Sequence, residues 1–194
     1  MAITSADIKA LRDETGISVM QCKVALEEAG GDMEKARIIL RKRGAEAASK
    51  KSDRTLGAGA IGAYVHTTNE VAALVHLSCE TDFVAKNEEF VALAREIAMH
   101  VTALAPQYLT RDEIDAAAFE KAKEVFKGEI EGKPADLQEK ILAGKLDSYF
   151  KDQVLLEQSF IKDPTRTIND LVEGATQKFG ERVVISAMSR LSVK

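Results

Sequence analysis

Tryptophan is absent from this chain, and cysteine and proline are scarce, at two and three in 194 residues. Each shortage excludes something. Cys22 and Cys79 stand far apart, so they form neither a disulfide framework nor a C-x-x-C metal or redox pair. Both are expected to be reduced, in a cytoplasmic protein. Aromatic residues make up only 5% of the chain, too few to interleave with basic residues as a nucleic-acid stacking platform. Apolar runs are short, Val71 to Val75 being among the longest, and none can span a bilayer. The first residues carry neither a basic nor an apolar segment of the secretory kind.

What remains is a globular composition, 45% hydrophobic and 30% charged, which argues against disorder. The net charge of −4 argues against a general nucleic-acid binder, and no direct nucleic-acid contact is expected. Charge is unevenly spread, however. Lys35, Arg37, Arg41, Lys42, Arg43, Lys50, Lys51 and Arg54 face only Glu46 and Asp53 over residues 35–54. One reading is a solvated helix end with a linker. The other is a site for an acidic or phosphate-bearing partner such as RNA or the ribosome.

The first 45 residues read as three short helices. One carries Ile8, Leu11 and Arg12 and ends before Gly16. Ser18 and Gln21 make a capping-box pair for the second, whose apolar positions are Met20, Val24 and Leu26. Gly30 and Gly31 stop it. Asp32 caps a third helix through Met33, Ala36, Ile39 and Leu40, and Gly44 suits its C′ position. Residues 46–55 read as a linker or a continuing exposed helix.

From residue 56 the pattern changes to a core domain, 56–194. Gly57 to His66 and Val71 to Ser78 form a strand pair around Thr67-Thr68-Asn69. Both faces of the second strand are largely apolar, so cover is expected on both sides. Asn87 caps an amphipathic helix with Phe90, Val91, Ala94, Ile97, Ala98 and Val101 along one stripe. Two charged helical stretches, Glu113 to Gly128 and Pro134 to Phe150, suggest a hairpin at about 112–150, joined by Gly132-Lys133-Pro134. Val154 to Ile161 reads as extended. Ile168 to Phe179 is a helix, and Arg182 to Leu191 a last strand. The class is α+β.

Chemical motifs are sparse. Gly57 to Gly62 spells G-x-G-x-x-G, but a basic helical segment precedes it and a strand follows, the reverse of a dinucleotide site. Close packing at a strand start explains those glycines better. His66, His76 and His100 have no ligand spacing, so no metal or cofactor is expected. No partner for Cys79 as a nucleophile is visible, and Glu80 and Asp82 make a weak acid–base pair. The chain is not expected to be an enzyme. The conspicuous segment is Cys79 to Asn87, where a strand runs into a capped helix. Thr81 or Asp82 can cap a turn that holds Phe83 at a tip, or Phe83 packs back onto its own domain.

The run Leu77-Ser-Cys-Glu-Thr-Asp-Phe-Val-Ala-Lys-Asn87 resembles the core signature of the bacterial elongation factor Ts family. So do Leu11 to Gly16 with Met20 to Leu26, Gly31-Asp32 with Leu40 to Gly44, and Glu131 to Pro134 with Leu155 to Phe160. These blocks fall in family order over nearly the whole chain. The resemblance implies a guanine-nucleotide exchange factor for GDP-bound elongation factor Tu. It implies a ubiquitin-associated-like first domain and a core with a small antiparallel sheet, packed helices and a protruding helical hairpin. By position, Thr81, Asp82, Phe83 and Val84 become the segment that intrudes beside the partner's Mg²⁺ site. Arg12, Val19 and Met20 become contacts to its nucleotide domain. The chain departs from the family pattern at Val19, where many members carry methionine, and at His76, where glutamate is common. Its length resembles the short form, whose members pair as homodimers. Two other classes remain open: a generic protein-binding module, and an RNA- or ribosome-associated factor using the basic segment.

Overall fold

Capping residues and glycine punctuation set the first elements. A computed structural model describes residues 3–130 and 135–193. Helix α1 (Ser5–Thr15) opens on a Thr4–Asp7 capping box and closes at Gly16, whose φ of 67° suits glycine. Helix α2 (Val19–Glu28) is capped by Ser18, which accepts from the Gln21 backbone N–H. The Gln21 side chain does not complete a box; its oxygen accepts from Gln177 at 2.7 Å. Gly30 and Gly31, both at positive φ, turn the chain into α3 (Met33–Ser49), capped by Asp32.

One expectation changes here. Gly44 does not end α3, which continues through it to Ser49, so the first part of the stretch read as a linker or a continuing exposed helix is helical. Gly44 is buried against helix α8 (Ile168–Phe179), where an added Cβ would stand 3.4 Å from the Glu173 carbonyl oxygen. Its small size serves a close helix crossing rather than a turn. Met20, read as an apolar position of α2 and as a partner contact, is 68% exposed. Leu11, Ile17, Cys22, Ala25, Leu26, Ala36 and Leu40 make this unit's core.

Strands β1 (Ala58–Val65) and β2 (Val71–Cys79) form the expected antiparallel hairpin, with Asn69 at positive φ in its turn. Strand β5 (Val184–Ser192) joins β2 on the other edge, giving the order β1-β2-β5 with an irregularity at His76/Leu77. Helix α5 (Glu88–Leu104), capped by Asn87, covers one face. Gly62 lies so close to it that an added Cβ would stand 2.1 Å from the Ala94 carbonyl oxygen. Val75, Leu77, Phe90, Ala94, Ile97 and Val101 are the centre of the main core. Val91 falls outside it, at 43% exposure.

The other face of the sheet is bare within the single chain among the described residues, and the expected cover on that side would have to come from a second copy. Paired positions along the strands place Ile61, Val65, Leu74 and Leu191 on it, at 51–74% exposure.

Helices α6 (Ala116–Ile130) and α7 (Ala135–Lys151) make the hairpin, packed through Ala122, Leu146 and Phe150. The Gly132-Lys133-Pro134 connection lies outside the described residues. The stretch read as extended is a 3₁₀ turn, Leu155–Glu157, followed by the two-residue strand β3 (Ser159–Phe160). It pairs with β4 (Asp163–Thr167), a strand that the Pro164 turn signal conceals.

Candidate partner-binding site

A strand end, a one-turn helix and a helix start build the site. After Cys79 the chain leaves β2, and Thr81 caps helix α4 (Asp82–Ala85), its hydroxyl accepting from the Val84 N–H. Consecutive residues of so short a helix point apart. Val84 is buried and anchors the turn, while Phe83 is 83% exposed. The packed-back alternative for Phe83 is therefore excluded, and the bare tip stands. Single exposed apolar side chains are ordinary on a surface; what distinguishes Phe83 is the capped and anchored turn that holds it out.

The surroundings are electrostatically arranged. Asp82 and Lys86 pair at 2.7 Å, which pushes the Asp82 carboxyl down and the Lys86 ammonium up. Both are solvent-exposed, so the pair contributes little to the stability of the turn. Glu80 lies below its ordinary range, first because it accepts from the Arg182 N–H at 2.6 Å and then because Arg54 stands beside it. The Arg182 guanidinium donates to the Arg54 carbonyl at 2.7 Å, so the chain leaving α3 is tied to the foot of the tip. Glu181 reaches the same place, accepting from the N–H groups of Glu80 and Thr81. Sequence reasoning missed Arg54, Glu181 and Arg182; Gly180-Glu181 carries only a helix-stop signal.

Cys79 is buried and its Sγ donates to the Thr81 carbonyl at 3.2 Å. Burial, then the Glu181 charge, pushes its thiol up, so it is a poor nucleophile at neutral pH. Among the described residues no group of three His, Cys, Asp or Glu is placed to hold a metal ion. His100 is buried, its Nε2 donating to Gln158 at 2.9 Å; His76 sits on the bare sheet face.

The N-terminal candidates are also outward. Arg12, Val19 and Met20 are exposed, the last two at 53% and 68%. Lys178 links their region to the tip: its ammonium lies against Gly16 and pairs with Glu89, in the first turn of α5, at 2.9 Å. Several basic residues of the 35–54 segment are paired. Arg37 pairs with Glu14 and Glu34, Arg41 with Asp170, Arg43 with Glu28, and Arg54 with Glu80.

The α+β scaffold thus presents Phe83 bare on an anchored one-turn helix. The family model for Elongation factor TS matches residues 44–193. Elongation factor Ts of Leptospira biflexa serovar Patoc is 47% identical over 100% of this chain and 98% of its own length. That of Thermodesulfovibrio yellowstonii is 45% identical over 100% and 97%, and that of Fervidobacterium nodosum 44% over 100% and 99%. The chain belongs to the elongation factor Ts family. Its role is nucleotide exchange in translation elongation, which involves no bond-making chemistry of its own. No described helix is long and apolar enough to cross a membrane.

Proposed function

We propose that this protein binds GDP-bound elongation factor Tu in the cytoplasm and promotes GDP release by disturbing the partner's Mg²⁺ site. The observation that carries the reading is Phe83, held bare on a turn that Val84 and Thr81 anchor. Nucleotide affinity in a GTPase rests on Mg²⁺ bridging the phosphates and on backbone amides that cradle them. A wedge that shifts the metal's surroundings weakens that bridge. Thr81, Asp82, Phe83 and Val84 form the wedge, and Arg12, Val19 and Met20 hold the partner's nucleotide domain.

Coupling between the two ligands is reciprocal: the factor weakens nucleotide by the same ratio that nucleotide weakens the factor. GTP then expels the factor. The chain works as a homodimer, pairing through the bare sheet face, where Ile61, Val65, Leu74 and Leu191 supply an apolar patch.

The Mg²⁺ route has its own test. EDTA removes the bridge that the tip disturbs. Acceleration over spontaneous GDP release is expected to be large in millimolar Mg²⁺ and to shrink severalfold with EDTA present. Equal acceleration in both conditions contradicts the Mg²⁺ route and leaves simple exchange standing.

A further inference from the structure

Helix α4 is a single turn, and an isolated turn has no stability of its own. Val84 is its one buried side chain. Order must come from elsewhere, and it comes from a residue a hundred positions later. One Glu181 oxygen accepts the N–H groups of Glu80 and Thr81, each at 3.0 Å. The other accepts the Thr81 hydroxyl at 2.6 Å. Glu80 reciprocates by accepting the Arg182 N–H. Two loops thus exchange carboxylates for backbone donors, and bonds to an ionised acceptor are the stronger kind. Gly180, at φ 71°, ends α8 and sets the direction in which residue 181 leaves it.

We infer that Glu181 is a positioning residue for the exchange tip: by holding Glu80 and Thr81 it keeps α4 formed and Phe83 projecting before the partner arrives. The inference rests on the proposed role of Phe83. Without the clamp, the tip must be ordered during insertion, and that cost falls on the inserted state rather than on encounter.

The test uses the full chain, Glu181→Ala and Glu181→Gln, and release of fluorescent GDP from elongation factor Tu across protein concentration. The maximal rate at saturation is expected to fall about tenfold in Glu181→Ala, the scale of one lost charge-assisted bond. The half-saturating concentration should stay within about twofold, because the rest of the interface is intact. Glutamine keeps an oxygen for the two N–H groups and should recover most of the rate. A merely structural role would reduce the active fraction, moving half-saturation and leaving the maximal rate alone.

Amide exchange over residues 80–86 reads the clamp independently and should quicken in Glu181→Ala. Should that variant melt near the assay temperature, Glu181→Asp keeps the charge, withdraws it by one methylene, and carries the same expectation. A wild-type maximal rate, or unchanged amide protection, overturns the inference. If the wild-type chain fails to accelerate release, the exchange reading fails, and the amide data still decide whether Glu181 orders the turn.

Discussion

Replacing Phe83 by alanine separates function from folding more cleanly than any other change in this protein. The ring is 83% exposed and absent from the buried core, so folding loses almost nothing. Melting should shift by less than about 2 °C, as for other surface substitutions. Binding loses much more. A phenylalanine side chain offers roughly 200 Å² for burial, which at ~25 cal/mol/Å² sets an upper limit near 4–5 kcal/mol. The remaining alanine Cβ and the ordering of the ring reduce this to roughly 2–3 kcal/mol, or at least tenfold in rate. The assay is stopped-flow release of fluorescent GDP from elongation factor Tu at saturating protein. A folded Phe83→Ala protein with wild-type exchange would refute the reasoning, since the tip would then contribute nothing in the exchange complex.

Three further outcomes follow from other parts of the fold. Gly62→Ala drives a Cβ into the backbone of Ala94 and should cost about 3 kcal/mol or more, seen as a melting temperature lower by roughly 6–12 °C. Leu74→Glu places a charge in the bare sheet face; sedimentation at micromolar concentration should find a dimer for the wild type and a folded monomer for the variant, and a monomeric wild type contradicts the pairing. His100 donates from Nε2 to Gln158 and accepts from the Ile161 N–H at Nδ1, so protonation sets a donor against a donor. Burial, opposed by the Gln158 bond, holds it below its ordinary range, so the unfolded chain takes up the proton first and stability falls as pH drops below about 6.5. Thermal melts from pH 7.5 to 5 should show a shallower decline for His100→Gln.

Local signals were the most legible in the sequence. Ser18, Asp32, Asn87 and Thr81 cap helices because each side chain satisfies an N–H two or three residues on. Phe83 as a tip was one of two open readings, and what selects it is nonlocal: Glu181 and the inward anchoring of Val84. Gly44 misled because glycine marks both helix ends and close approaches, and only α8 distinguishes them. The β4 strand hid behind Asp163, Pro164 and Thr165 because it exists through pairing with β3. The apolar alternation of β2 made both sheet faces legible as packing surfaces, without reporting what meets the second one.

The most direct measurement is the wild-type chain itself, titrated into elongation factor Tu loaded with fluorescent GDP. The account predicts a release rate that climbs with concentration and saturates well above spontaneous release. A folded sample that leaves the rate unchanged at every concentration contradicts it.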